Sequence, residues 1–143
     1  MEWFVRAFLR AALAWLGLGV TLGVAMAVQP AWLIYRPAHL HMNMLGFVTM
    51  MIYGVAYHAI PRFAGRPLHS NRLARAQWWV SNLGLVLLVA GLASRPHGAA
   101  YAGLVLAGGG ALAALGAYGF IYNLWRTLGA RALEIPRRAL PTV

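Results

Sequence analysis

At 143 residues, 62% of them hydrophobic and only 10% charged, the chain has a membrane protein's composition, and its length limits it to one domain. The net charge of +10 comes from twelve arginines against Glu2 and Glu134; they sit at the ends of apolar stretches, where they act on topology, which argues against nucleic acid as a partner. The absence of cysteine excludes disulfides, thiolate-ligated iron and iron–sulfur clusters.

Four apolar stretches predict an all-α integral membrane protein with transmembrane helices at about 4–28, 38–60, 73–94 and 99–124, and a basic surface tail over 125–143. The first stretch carries Arg6 and Arg10 one turn apart, placed to snorkel to headgroups. It runs too long for a signal-peptide core and is expected to be a retained helix. Its Gly19 and Gly23 form a GxxxG face for close packing, a weak signal in a glycine-rich chain. Gln29 and Pro30 end it, and 31–37 is expected to be a short outer connection with Trp32 and Tyr35 at the membrane interface.

The second stretch, AHLHMNMLGFVTMMIYGVAYHAIP over 38–61, is the one on which the function turns. It opens with His39 and His41 and closes with His58 just before Pro61. Ionisable side chains within a membrane span mark functional sites, and imidazole is the commonest metal ligand. Residues i and i+2 lie about 200° apart on an α-helix. His39 and His41 therefore point to nearly opposite faces at almost one depth, and a regular helix does not let them chelate one ion. Regular spacing places Asn43, Gly46, Met50 and Gly54 beneath His39, and Leu45, Val48, Ile52 and Val55 beneath His41. Two readings of the glycine face stay open: a slot where a flat macrocycle lies under His39, or a seat for another helix.

The loop over 62–75 carries Arg62, Arg66, Arg72 and Arg75, with His69 expected to be solvated, and Ser70 or Asn71 suits the cap of the third helix. Arg95, Pro96, His97 and Gly98 form the second outer turn, and the fourth stretch is rich in glycine. Ten arginines fall on the side of both termini and two, Arg36 and Arg95, on the other, which predicts both termini inside. Arg36 precedes His39 by three residues and Arg95 precedes His97 by two. The guanidinium fork binds carboxylates such as heme propionates, the alternative partners being lipid phosphate and water. His97 is a candidate second axial ligand. Met42, Met44, Met50 and Met51 keep a copper reading open alongside His39 and His41, since thioethers and imidazoles suit Cu(I). The four do not share one face, however, and methionine in an apolar helix commonly packs.

The opening Ala38-His39-Leu40-His41 resembles the tenth helix of subunit I of the heme–copper oxidases, where an Ala-His-x-His motif begins a span. The pattern continues with a glycine, a histidine and a proline, met here by Gly54, His58 and Pro61 without a gap. In that family the first histidine binds the high-spin heme and the second the low-spin heme, on opposite faces of the helix. The resemblance carries this to His39 and His41 only. The family fold consists of three four-helix arcs with metal-binding histidines on the second helix of each. The resemblance therefore implies a single arc, of which three copies would rebuild the body. The copper-ligand histidines, the crosslinked tyrosine and the proton-channel Asp and Lys have no counterparts here, so oxygen reduction with proton pumping is not implied.

The expectation is a membrane b-type cytochrome with one heme b per chain, working as a homo-oligomer, a trimer favoured. His39 of one chain and His41 of the next would be the axial pair, with His97 as rival. Arg36, Asn43, Gly46, Met50, Gly54 and Arg95 would surround the heme, and no residue is assigned a catalytic role. The activity would be electron transfer with a respiratory donor or acceptor, or binding of a diatomic gas, in lipid of a bacterial or archaeal cytoplasmic membrane. The alternatives are a cofactor-free accessory or assembly subunit of a respiratory complex and a copper-binding membrane protein.

Overall fold

A computed structural model describes residues 1–129; Arg131, Glu134, Arg137 and Arg138 of the expected surface tail lie outside the described residues. Among the described residues, four helical stretches are long and apolar enough to cross a membrane: Trp3–Val28, Pro30–Phe63, Asn71–His97 and Ala102–Gly129. The first is a single helix, α1 (Trp3–Val28), as the uninterrupted apolar run requires.

The second stretch is built in four pieces. A 3₁₀ turn, Pro30–Tyr35, leads into α2 (Arg36–His41), a π-helical segment Met42–Thr49, and α3 (Met50–Phe63). The connection expected over 31–37 is itself helical, because Pro30 and Pro37 fall in first turns, where a missing N–H leaves no bond unmade. Pro61 does not end the helix either. It lies inside α3, which runs to Phe63, and the chain leaves the helix through Gly65 in the left-handed region at φ 62°.

Of the two cap candidates for α4 (Asn71–Ser94), Ser70 takes the role, its hydroxyl accepting from Leu73 N–H at 3.1 Å. A 3₁₀ turn, Arg95–His97, ends at Gly98, and α5 (Ala102–Gly129) starts later than expected and runs past 124.

The helices pair as two hairpins, α1 with the second stretch and α4 with α5, and α4 also meets α1 and α2. Alternating direction gathers the start of α1, the end of α3, the start of α4 and the end of α5 at one end, with Arg6, Arg10, Arg62, Arg66, Arg72, Arg75 and Arg126. The opposite, histidine end holds Arg36, Arg95, His39, His41 and His97.

Large side chains fill the arginine-rich half. Phe8 meets Tyr53 with ring centroids 5.6 Å apart, and Phe120 meets Tyr53 at 4.4 Å and Tyr57 at 5.2 Å. The loop after α3 is docked on α5 by its backbone. Asn123, fully buried, accepts from Ser70 N–H and donates to Ser70 C=O, each at 2.9 Å, and Thr127 Oγ1 accepts from His69 N–H at 3.0 Å. These bonds satisfy backbone groups that would otherwise be stranded near apolar surface. The His69 side chain is exposed, as expected, but its backbone is pinned.

Candidate functional site

His39 leaves α2 toward α1. Its Nδ1 lies 2.9 Å from Gly19 C=O, twenty residues earlier. A carbonyl only accepts, so Nδ1 carries the proton and Nε2 keeps its lone pair. His41 reaches the same state differently, its Nδ1–H donating to Pro37 C=O at 2.8 Å within its own turn. His41 thus presents Nε2 as the nitrogen able to ligate a metal, and so does His39 once the Asn43 amide, 3.4 Å from its Nε2, turns aside; each has Nδ1 anchored as metal-binding histidines usually are. His41 is itself half-buried and bonds within its own turn, whereas His39 crosses to α1. The two rings serve different sides, as their i, i+2 spacing predicts.

The GxxxG of α1 is the seat for the histidine face. A Cβ on Gly23 would lie 2.9 Å from His39 Cε1, and one on Gly19 would lie 2.7 Å from the Asn43 amide. Only glycines leave room for an imidazole and an amide against the helix backbone. This role was missed in the sequence, although the spacing that marks it was visible.

Below these contacts the macrocycle slot fails as a correction to expectation. A Cβ on Gly46 would meet Trp15 Cβ at 2.6 Å, and one on Gly54 would meet Leu9 Cδ2 at 2.9 Å. Gly46 and Gly54 seat α1, the second of the two readings, and the space beneath His39 is filled by Trp15, Leu9 and Phe8. Met50 is also removed from such a slot: it is buried and lies 4.0 Å from Asn82 Nδ2 on α4. Of the expected lining, Asn43 stays with His39 and Arg36 stays beside it.

What remains open is a groove of about 340 Å³ at the histidine end, lined by Gly23, Met26, Leu33, Arg36, His39 and Leu40 among others. The exposed Arg36 places a fixed positive charge beside the imidazole in otherwise apolar surroundings. Arg95 lies in the neighbouring turn. His97 is drawn into a separate pair, its Nε2 2.9 Å from Tyr35 Oη with the rings 5.8 Å apart. That engagement weakens its candidacy as an axial ligand. His58 is also occupied, because Arg62 Nη1 donates to its Nδ1 at 2.9 Å and so fixes the proton on Nε2.

The methionines divide between faces, Met44 being 58% exposed and Met50 2%, so they do not gather around His39 and His41. Among the described residues no group of three or more His, Cys, Asp or Glu side chains converges as a metal cluster.

The π-helical segment was not foreseen. Asn43 Nδ2 donates to His39 C=O at 2.9 Å, the carbonyl that Asn43's own N–H would meet in an α-helix. Thr49 Oγ1 donates five residues back, to Met44 C=O at 2.8 Å. Side-chain donors at both ends compete with α-helical bonding, and π segments recur at functional sites. One extra residue turns everything beyond it by about 100°, so a regular helix drawn from His39 loses register within this segment.

A model for the family described as Cytochrome C and Quinol oxidase polypeptide I matches residues 4–138. A curated relative, the Cbb3-type cytochrome c oxidase subunit CcoN1 of Stutzerimonas stutzeri, is 32% identical over 94 residues, covering 59% of this chain. The match takes in 19% of that relative, so this chain corresponds to about a fifth of its length.

Proposed function

The chain belongs to the Cytochrome C and Quinol oxidase polypeptide I family, that of heme–copper oxidase subunit I, and from that premise we propose that it is a membrane b-type cytochrome acting in electron transfer or diatomic gas binding. It is an integral membrane protein of four apolar helices related to a respiratory oxidase subunit. The finer reading is one heme b per chain, held at an interface between copies in a closed ring, a trimer favoured, with both termini inside.

One observation carries it: two imidazoles on opposite sides of one helix, each with Nδ1–H spent on a backbone carbonyl and Nε2 left with a lone pair. The donor chemistry fits heme iron, which takes neutral imidazole at its axial positions. When bound, the heme supplies one-electron or gas-ligand chemistry. The chain's own residues do the rest. Gly19 C=O and Pro37 C=O set the tautomers and hold the rings, and Gly23 admits the His39 imidazole. Arg36 offers its guanidinium to a propionate, with Arg95 as a second cation at the same edge, and Leu33, Met26 and Leu40 keep water from the groove. Two rings that face apart cannot serve one iron from within a chain. Cyclic symmetry resolves this by setting the His39 face of one copy against the His41 face of the next.

The experiment mixes His39→Ala and His41→Ala chains. The native protein is expected to give a Soret band with sharp reduced α and β bands. Each variant alone should lose the low-spin spectrum, and mixed oligomers should regain part of it, because one kind of junction joins two intact histidines. A detergent-isolated monomer that keeps its full low-spin spectrum, or its abolition by His97→Ala alone, sinks the interface reading. Copper by elemental analysis without a Soret band would favour the copper alternative, and neither cofactor the accessory-subunit one.

A further inference from the structure

At the far end from His39 and His41, the docked loop and the last turn of α5 flank a second cleft. It has a volume of about 410 Å³ and is lined by His69, Trp125, Arg126 and Gly129. We propose that this cleft binds the phosphate of an anionic phospholipid, with Arg126 as its charge partner, His69 as a hydrogen-bonding neighbour and Trp125 as the headgroup-level anchor.

Twelve arginines face only two acidic side chains in the whole chain, so its positive charge is largely uncompensated from within. At the end of a membrane span the abundant counter-anion is lipid phosphate. A cleft turns that general attraction into a site when its walls are held, and here the loop wall is. His69 is fixed through its backbone to Thr127 at 3.0 Å, and its ring meets Tyr122 edge-on at 5.8 Å. Arg66 spans from the loop to Leu128 C=O at 3.1 Å, tying the two walls together.

The helix terminus opposes an anion here, because the end of α5 carries about −0.5 charge. Arg126 in that last turn adds a full positive charge, and Arg66 adds another directly on the Leu128 carbonyl. Two unit charges outweigh the half charge, so the cleft is net attractive to phosphate. Trp125, 76% exposed, suits the headgroup region where indole rings collect. Free inorganic phosphate offers the same chemistry without acyl chains, so the test must separate the two. Lipid binding at this end of the bundle needs no heme.

The full chain is reconstituted in nanodiscs, and quenching of Trp125 by brominated phosphatidylglycerol is read as the difference between native protein and Trp125→Phe. Quenching should saturate at lower lipid fraction than with brominated phosphatidylcholine. Arg126→Gln should weaken it about five-fold, the equivalent of about 1 kcal/mol for one arginine at the surface. Arg10→Gln, the same charge change at the same end, should leave it unaltered, and millimolar inorganic phosphate should not displace the lipid. Equal weakening by Arg126→Gln and Arg10→Gln would mean diffuse surface charge and overturn the site. Displacement by inorganic phosphate would assign the cleft to a soluble anion and overturn the lipid.

Discussion

The two hairpins spend their glycines differently. Between α4 and α5, a Cβ on Gly84 would lie 2.6 Å from Ala113 N and one on Gly91 2.7 Å from Leu106 N, so at these positions backbone meets backbone, while Gly116 seats the Ser81 side chain. Between α1 and the second stretch the same residue type meets side chains: Asn43 over Gly19, His39 over Gly23, Trp15 over Gly46. The α4–α5 hairpin is thus a close-packed brace. The other places polar groups against a helix that would otherwise exclude them. A glycine-rich helix in sequence does not say which of these it is for; the partner opposite decides.

Breaking the brace is expected to have the largest effect. A Cβ on Gly109 would collide with Leu88 N, and backbone cannot rotate away as a side chain can. Gly109→Val should cost at least about 1–3 kcal/mol as overpacking, read as a lower unfolding midpoint in detergent. Gly103→Val, where nothing lies within 4 Å, should stay within about 0.5 kcal/mol of native. Equal effects would show that the close approach does not brace the bundle.

Gly23→Ala tests the other hairpin and should be milder for the fold but selective for the site. The added methyl pushes on His39 Cε1, and the ring must leave its bond to Gly19 C=O or carry it at a poorer angle. On the heme reading, affinity should fall about ten-fold, the lower bound for disturbing a ligand's outer support. The unfolding midpoint should move far less than in Gly109→Val. Unchanged heme titration with a shifted midpoint would make Gly23 a packing residue only.

Much of this was legible in the sequence because it depends on composition and spacing. Four spans follow from apolar length, and the opposed directions of His39 and His41 follow from two residues of separation, which falls before the helix becomes irregular. The slot under His39 was misread because spacing places Gly46 and Gly54 on a face without naming what covers it. Trp15 and Leu9 fill that space from a helix some forty residues away in sequence. Helix boundaries slipped at Pro37 and Pro61, where proline is tolerated in a first turn or near a helix end. The pairing of His97 with Tyr35 joins two turns that only the folded bundle brings together. The GxxxG was visible, but its reason, an imidazole and an amide needing space, lies on another helix.

The smallest expected effect sharpens the comparison most, because it separates the polar seat from the helix geometry beneath it. Asn43 touches both: its amide bonds His39 C=O at 2.9 Å and rests on Gly19, and 3.4 Å separates it from either ring nitrogen of His39. Asn43→Ala removes the competing donor and frees that carbonyl for an ordinary α-helical bond. One hydrogen bond of this kind is worth about 1 kcal/mol net, and the α-helical bond that replaces it offsets most of the loss. Stability should therefore change by less than about 1 kcal/mol while the segment Met42–Thr49 tightens toward α geometry. Amide exchange reads this directly, as slower exchange across that segment with α4 and α5 unaffected. If the exchange pattern is unaltered, the irregularity is imposed by Trp15 against Gly46, and the π segment belongs to helix packing and not to the histidine seat.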